Sequence, residues 1–253
     1  MKIEFLGVGS CLPEQDSSDT ASLLIDRHVM VDCGWSTIRN LKRAGLEPHD
    51  IDTLIFTHMH QDHYMGLVQF LFYLENGDHT FGDLKIYGPE GLDEIMRLAL
   101  TYTGFERYYQ AECGMPDYRQ LVSGETLNLP GGLKASCVAS HHAVPGFSYR
   151  FTDEKGSSMT YSGDTAPYPE LIPFAAGSDV LIHEASFDVR PTPENNPYCH
   201  SSCMDAAQTA KAAGAKALYM VHASGSSRQA TLDVAGKIFS PVFRPTEGDV
   251  IDL

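Results

Sequence analysis

The sequence predicts an α/β fold in one domain that covers residues 1–253. Short apolar runs with the length of strands alternate with longer segments whose apolar positions have helical spacing. Several of the apolar runs are followed directly by histidine or aspartate, and ligand sites in α/β sheets gather beyond strand ends. The chain of 253 residues is 43% hydrophobic, which is enough for a packed core, and no stretch resembles an interdomain linker.

The first half of the chain is predicted to contain five strands and three helices. The strands are residues 3–8, 21–25, 28–31, 53–56 and 84–87. The helices are residues 35–44, 64–72 and 89–102, with Pro89 opening the third and glycine following the first and third. A polar loop is expected at 13–19 and a surface loop at 108–116, where no period is visible.

The second half is predicted to contain six strands and two helices. The strands are residues 133–139, 146–151, 158–161, 180–183, 217–221 and 250–253. The helices are residues 204–213, which are rich in alanine and end before Gly214, and residues 229–237. Strands followed by helices in each half indicate a weak two-part organisation without a sequence repeat.

Four residues of metal-binding type stand within six positions directly after the predicted strand 53–56. They belong to the stretch T-H-M-H-Q-D-H and are His58, His60, Asp62 and His63. Side chains two apart in an extended chain point to the same side, so His58 and His60 can reach one ion together. A helix can begin at Asp62, and that turn would let Asp62 and His63 face a second ion. A polar loop whose histidines contact only water is the alternative.

Further ligands would have to come from the ends of other strands. Four candidates follow apolar runs, namely His142, Asp164, His183 and His222. Any one of them alone is more often an ordinary core or loop residue, but four in the same position favour a shared site. Imidazole and carboxylate are the ligands expected for zinc-like ions, so the sequence predicts a metal site.

The charge balance disfavours a large polyanion as partner. The chain has 18 basic and 33 acidic side chains, a net charge of −15, whereas nucleic-acid binders usually carry a basic face. The basic cluster at Arg39, Lys42 and Arg43 is explained equally well by a solvated helix face. No apolar run approaches the ~20 residues needed to span a bilayer, and no secretory signal opens the chain. We therefore predict six reduced cysteines, a cytoplasmic location and no membrane contact.

The motifs resemble those of the metallo-β-lactamase fold hydrolases, and most of all those of the ribonuclease Z branch. The stretch 57–63 resembles their H-x-H-x-D-H motif, and V-D-C-G at 31–34 resembles their early D-C-G motif. Residues 142–150, H-A-V-P-G-F-S-Y-R, resemble the family's H-x-V-P-x-x-G-Y-R, and residues 162–165 match its S-G-D-T. Residues 183–186, H-E-A-S, resemble its H-E-A-T, and residues 200–202, H-S-S, resemble its H-S-T. Residues 221–224, V-H-A-S, resemble its T-H-F-S. This resemblance covers nearly the whole chain. It implies a four-layer αβ/βα sandwich with two central mixed sheets flanked by helices.

The resemblance also implies a site for two divalent ions, with zinc the default and manganese or iron as alternatives. One ion would be held by His58, His60 and His142, the other by Asp62, His63 and His222, with Asp164 bridging them. Asp32 would orient the ligand loops. The catalytic residues implied are Asp62, His183, Glu184 and His200. Either histidine could stabilise an oxyanion or protonate the leaving group, with Glu184 orienting an imidazole. A buried, hydrogen-bonded histidine is the alternative for His183.

Two departures from the ribonuclease Z pattern bear on the substrate. In that branch a long arm that grips tRNA is inserted between the third histidine ligand and the bridging aspartate. Here the matching residues, His142 and Asp164, are only 22 positions apart and enclose two predicted strands. The Arg-Asn pair of the family's first loop is missing as well, with Asp19 and Thr20 near its place. We therefore do not expect tRNA as a substrate.

These observations predict a metal-dependent hydrolase, foremost a phosphodiesterase that acts on a small-molecule or short phosphodiester substrate. A tRNA 3′-end endonuclease is one alternative, and a lactonase, thioesterase or sulfatase on the same site is another. A non-catalytic metal-binding or sensor protein is the alternative from a different class. A homodimer is also considered, because relatives of this kind often dimerise and residues 70–73 are apolar; core packing explains that stretch equally well.

Overall fold

The computed structural model describes residues 1–12, 19–77, 80–223 and 228–253. The predicted loop 13–19 lies outside the described residues except for Asp19, and Ser224 lies outside them too. No helix within these ranges combines the length and the apolar character needed to cross a lipid bilayer. All six cysteines are free thiols, as the sequence predicts.

Fourteen strands in the described ranges form two mixed sheets of seven strands each. In chain order they are β1 (Lys2–Gly7), β2 (Ser22–Ile25), β3 (Val29–Val31), β4 (Thr53–Ile55), β5 (Lys85–Gly88), β6 (Asp117–Gln120), β7 (Thr126–Asn128), β8 (Lys134–Ala139), β9 (Phe147–Thr152), β10 (Ser158–Tyr161), β11 (Val180–Glu184), β12 (Leu218–Val221), β13 (Val242–Phe243) and β14 (Val250–Asp252). The first sheet has the order β14-β1-β2-β3-β4-β5-β6, with β3 to β6 parallel. The second has the order β13-β12-β11-β10-β9-β8-β7, with β10 to β13 parallel.

Helices flank both sheets. Within the described part of the chain they are α1 (Thr37–Arg43), α2 (Gln61–Tyr64), α3 (Gly66–Asn76), α4 (Leu92–Thr103), α5 (Phe105–Tyr108), α6 (Gln110–Cys113), α7 (Leu171–Phe174), α8 (Cys203–Ala213) and α9 (Arg228–Ala235), with short 3-10 turns at Pro48–Asp50 and Pro130–Gly132. The alanine-rich α8 starts with a capping box between Ser202 and Asp205 and ends at Gly214, whose φ is 63°. Both ends therefore follow the expected cap chemistry.

Three apolar clusters hold the layers together. The central cluster lies between the sheets and combines Phe5 and Ile25 of the first with Tyr149 and Phe151 of the second. A second cluster joins the first sheet to its helices, and a third joins the second sheet to α8. Two mixed sheets packed face to face with helices outside are the four layers predicted, so the predicted fold is confirmed.

The structure differs from the sequence prediction mainly in short elements. The segment 108–116 contains α6 instead of a surface loop, because a four-residue helix is too short to display an apolar period. The predicted helix 64–72 is divided into α2 and α3 at Met65. Helix α4 begins at Leu92 instead of Pro89. Strands β6, β7 and β13, which the sequence does not predict, all lie at sheet edges, and α7 is a further short element.

Candidate metal centre

The candidate site lies where the loops that follow β4 in the first sheet and β8, β10 and β12 in the second sheet come together. A β-bridge pairs His58 with Gly146 across the two sheets. The backbone N–H of Phe147 donates to the carbonyl oxygen of Thr57 at 2.8 Å. These contacts fix the histidine loop of the first sheet against the second sheet.

Two glycines hold the turn that carries Asp62 and His63 in place. A Cβ atom on Gly66 would lie 2.1 Å from the carbonyl oxygen of Gly34, and one on Gly34 would lie 2.7 Å from the carbonyl oxygen of Asp62. In the same region, the backbone N–H of Cys33 donates to the carbonyl oxygen of His63 at 2.7 Å, and the N–H of Gly66 donates to the carbonyl oxygen of Cys33 at 2.9 Å. Only glycine permits backbones to approach so closely.

The first ligand cluster consists of His58, His60 and His142, whose ring nitrogens lie within 4.8 Å of one another. His60 Nδ1 is 3.1 Å from His58 Nε2 and 3.0 Å from His142 Nε2. Burial lowers the pKa of all three imidazoles, that of His58 most strongly, and neighbouring histidines add to the effect. Neutral rings expose lone pairs, and three convergent lone pairs suit a cation.

The second ligand cluster consists of Asp62, His63, Asp164 and His222, all of them buried. Asp62 Oδ2 is 3.2 Å from His222 Nε2 and 3.4 Å from His63 Nε2. Burial opposes the charge of Asp62, but its contacts to His222 and His63 outweigh burial and lower its pKa. Burial likewise opposes the charge on His63, yet the carboxylates of Asp164 and Asp32 raise its pKa well above the ordinary range. A divalent cation would meet the same demand for positive charge beside these carboxylates.

Asp164 lies between the two clusters. Its Oδ2 is 3.3 Å from His222 Nε2, 3.4 Å from His63 Nε2 and 3.7 Å from His58 Nε2. Within the described residues, Asp164 Oδ1 is buried without a hydrogen-bond partner, and His63 Nε2 is buried with no closer contact than the two carboxylates at 3.4 Å. Leaving buried polar atoms unpaired costs free energy, and cations in both clusters would pair them. The donor set therefore fits divalent metal ions.

Asp32 lies behind the histidine loop, next to His63 of the second cluster. Its fully buried carboxylate accepts from the backbone N–H of Thr57 at 2.8 Å and contacts His63 Nδ1 at 2.8 Å. The Thr57 hydroxyl lies 2.9 Å from Asp32 Oδ2 and 3.0 Å from His58 Nδ1. One carboxylate thus orients two histidines, one directly and one through a hydroxyl.

Glu184 and His200 lie beside the second cluster and form a third group of possible ligands with His222. His200 Nδ1 is 2.8 Å from Glu184 Oε1, and its ring stacks on that of His222 with centroids 5.5 Å apart. Burial disfavours the charged imidazole, but the hydrogen bond to Glu184 and its charge outweigh burial and raise the pKa of His200 to about 9. His200 is therefore suited to carry a proton.

His183 is not brought to the site, so the prediction that it is a ligand or catalytic residue is corrected. Side chains alternate along β11, with Ile182 in the core between the sheets and Leu181 in the core under α8. His183 therefore points toward α8 while Glu184 points toward the cluster. Its ring is fully buried, and its Nδ1 contacts the carbonyl oxygen of Glu184 at 2.7 Å. His183 is thus a buried, hydrogen-bonded histidine, which is the alternative considered for it from the sequence.

Two hydroxyls beside the ligands were missed by the sequence reasoning, those of Thr57 and Ser186. Ser186 Oγ lies 2.7 Å from His222 Nδ1 and 2.8 Å from Glu184 Oε2. Both residues stand in the motifs T-H-M-H-Q-D-H and H-E-A-S, next to the predicted ligands. Their place in those motifs was the only signal available, because a lone hydroxyl has no pattern of its own.

Comparison with known protein families identifies the fold family. The family model described as "Beta-lactamase superfamily domain" matches residues 27–223. The chain belongs to this superfamily. As a member of the beta-lactamase superfamily with the metallo-β-lactamase fold, it is a metal-dependent hydrolase, and members of the family bind divalent metals.

Curated relatives extend over most of the chain. Ribonuclease BN of Proteus mirabilis is 28% identical, and the alignment covers 88% of this chain and 89% of that protein. Ribonuclease Z of Lactiplantibacillus plantarum is 26% identical over 313 aligned positions, which cover 100% of this chain and 98% of that protein. The present chain has 253 residues, so about 60 of the 313 aligned positions are gaps in it.

Solved structures share the fold over its full length. The metallo-β-lactamase fold protein YhfI from Bacillus subtilis superposes with a TM-score of 0.83 and 23% identity, covering 99% of this chain and 98% of that one. The short form of human tRNase Z gives a TM-score of 0.79 and 22% identity, covering 100% and 99%. Zn²⁺-bound PqqB from Methylobacterium extorquens gives 0.71 and 13% identity, covering 100% of both chains.

Proposed function

We propose that this protein is a phosphodiesterase that uses two divalent metal ions, zinc being the first choice and manganese or iron alternatives. The observation that carries the proposal is the pair of ligand clusters on either side of Asp164. His58, His60 and His142 would hold one ion, and Asp62, His63 and His222 the other. Asp164 would contact both. When bound, the two ions would lower the pKa of a water molecule and neutralise charge on a phosphoryl oxygen under attack.

His200 is the proposed proton donor for the leaving group. Its Nδ1 is committed to Glu184 at 2.8 Å, so Nε2 is the nitrogen left to face the substrate. The side chain of His200 is 19% exposed, whereas Glu184 is fully buried. Glu184 would therefore orient His200 and stabilise its charge without contacting the substrate. Asp62 would act in catalysis only through its metal ion.

A small or short phosphodiester is the proposed substrate. Relatives named ribonuclease Z and ribonuclease BN cleave phosphodiester bonds by their names, which supports this bond type. Between His142 and Asp164 this chain has only β9 and β10, joined by the turn 153–157, in which Asp153 accepts from the N–H groups of Lys155 and Ser157. A long tRNA-binding arm in that interval, as in the ribonuclease Z branch, has no counterpart here.

A tRNA 3′-end endonuclease is the second candidate. The full-length similarity to ribonuclease Z and to human tRNase Z favours it. The shorter interval before Asp164 and the net charge of −15 favour the smaller substrate.

We also propose one domain over residues 1–253 and a cytoplasmic location, the latter from the sequence alone. A homodimer remains a proposal as well. Of the apolar stretch considered for it, Phe70 and Leu71 are fully buried in the core and only Phe72 is exposed, at 46%. A dimer would therefore rely on few apolar contacts from this stretch, and the mass of the purified protein in light scattering decides it.

The deciding experiment measures hydrolysis of bis-p-nitrophenyl phosphate by protein loaded with zinc or manganese. We expect turnover by the wild type, loss of turnover in His60→Ala, and wild-type turnover in His49→Ala, a half-exposed histidine outside both clusters. Precursor tRNA with a 3′ trailer, a lactone and a thioester serve as parallel substrates. Two ions per chain without turnover of any ester would refute the phosphodiesterase and support a metal-binding or sensor protein. Cleavage of precursor tRNA alone would establish the second candidate.

A further inference from the structure

The candidate site contains the same three-part arrangement twice, once in each sheet. A buried carboxylate at the end of one strand contacts a hydroxyl, and the hydroxyl contacts Nδ1 of a histidine that follows the neighbouring parallel strand. The members are Asp32, Thr57 and His58 in the first sheet and Glu184, Ser186 and His222 in the second. The strands concerned, β3 with β4 and β11 with β12, are parallel neighbours.

Hydrogen-bond capacity fixes the direction of the contacts around Ser186. The hydroxyl has one hydrogen, and the carboxylate of Glu184, 2.8 Å away, can only accept. Ser186 Oγ therefore donates to Glu184 and accepts from Nδ1–H of His222 at 2.7 Å. His200 Nδ1 also lies 3.2 Å from Ser186 Oγ, but its hydrogen bonds Glu184 Oε1 at the shorter distance of 2.8 Å. This leaves the lone pair of His222 on Nε2, the atom that lies 3.2 Å from Asp62 Oδ2 and 3.3 Å from Asp164 Oδ2.

The same reasoning applies to Thr57. Its hydroxyl donates to the Asp32 carboxylate, at 2.9 Å from Oδ2, and accepts from Nδ1–H of His58 at 3.0 Å. The lone pair of His58 is left on Nε2, which faces His60 Nδ1 at 3.1 Å. His63 reaches Asp32 directly, at 2.8 Å, and needs no hydroxyl between them.

We propose that Thr57 and Ser186 are positioning residues that each fix the tautomer and orientation of one histidine. Thr57 acts on the cluster of His58, and Ser186 acts on the cluster of His222. Each hydroxyl therefore sets the affinity of one metal position and leaves the other unchanged. The inference rests on the proposed two-metal centre. Removing such a contact behind a ligand lowers metal affinity by about 10- to 100-fold.

Zinc titration in competition with a chromophoric chelator tests the proposal, with bound zinc counted by mass spectrometry. We expect Ser186→Ala and Thr57→Val each to weaken one of two zinc affinities by about 10- to 100-fold and to retain the other. The conservative variants Ser186→Thr and Thr57→Ser keep the hydroxyl and should retain both. Ser201→Ala and Thr160→Val are matched controls, because their buried hydroxyls bond Thr165 and Ser178 and contact no ligand histidine.

Nitrogen NMR of the histidine rings in the zinc-loaded wild type gives a readout independent of any variant. We expect protonated Nδ1 in both His58 and His222. Protonated Nε2 in both rings overturns the proposal, even where Ser186→Ala or Thr57→Val does not fold.

The outcomes also separate this proposal from the proposed function. Wild type with two zinc ions and turnover, together with unchanged affinities in Ser186→Ala and Thr57→Val, overturns the role of the hydroxyls and leaves the phosphodiesterase intact. A wild type that binds fewer than two ions overturns both. Equal weakening in the alanine variant and in Ser186→Thr shows a packing effect and also overturns the role of Ser186.

Discussion

Replacing Gly66 with alanine tests whether close backbone contact holds the metal-ligand turn. The added Cβ would lie 2.1 Å from the carbonyl oxygen of Gly34, 2.9 Å from that of Cys33 and 3.0 Å from Thr37 Oγ1. Cβ atoms essentially never lie nearer than 3.0 Å to another heavy atom, so the first contact requires a shift of about 0.9 Å. A backbone carbonyl cannot rotate away as a flexible side chain does, so α3 and the loop after β3 must separate.

Overpacking of this kind lowers the free energy of unfolding by about 1–3 kcal/mol. The higher helix propensity of alanine offsets up to about 1 kcal/mol of that loss. We expect the free energy of unfolding to fall by about 1–2 kcal/mol in urea with chelator present, and zinc affinity to fall because the turn carries Asp62 and His63. Gln69→Ala, an exposed position on the same helix, should stay within about 0.5 kcal/mol of the wild type. A Gly66→Ala variant as stable as the wild type, with unchanged zinc affinity, would refute the reasoning.

Three further predictions follow from buried polar groups. Burial raises the pKa of Glu75, which contacts Thr103, so its stabilising contribution is present below pH 4.5 and is lost as pH rises through the folded pKa. Glu75→Gln should therefore melt about 2–4 °C above the wild type at pH 8 but not at pH 4, and an equal melting temperature at pH 8 contradicts this. Asp164→Asn should reduce bound zinc below two ions per chain by mass spectrometry, and full occupancy would show that Asp164 does not bridge. Tyr149→Phe removes the bond to the Phe56 carbonyl at 3.0 Å and should cost about 1–2 kcal/mol in urea unfolding, whereas an unchanged midpoint would mean that water replaces the hydroxyl.

Short apolar runs and glycine caps in the sequence mark most elements, whereas the arrangement of the strands in two sheets was predicted from the resemblance to the metallo-β-lactamase fold. Helix α8, with alanines before Gly214, is one example. The sequence does not predict the shortest strands and helices, because tertiary contacts rather than a local pattern specify them. Strand β13 has only the two residues Val242 and Phe243 and pairs with β12 at the edge of its sheet. No apolar period can arise from two residues.

For the candidate site, position after a strand was a good but incomplete guide. It led to His142, Asp164 and His222, which the structure brings together with the residues of the histidine loop. It also led to His183, whose side chain leaves the other face of β11. The sequence shows that a residue stands at the end of a strand. It does not show which face of the sheet the side chain occupies, because that face depends on the register of the strand. The position of the Ser186 hydroxyl beside His222 depends on that register too.

The ligand clusters are divided between the two sheets in a way that ties metal uptake to assembly of the fold. The chain before β7 supplies His58 and His60 to one cluster, Asp62 and His63 to the other, and the remaining members come from the chain after it. Neither half alone supplies more than two members of either cluster. Loading of the proposed two-metal centre would therefore follow docking of the halves, and each ion, once bound, would stabilise the joined halves by an amount that depends on the free metal concentration. Removal of the metal by a chelator should therefore weaken the contact between the two halves before either half unfolds.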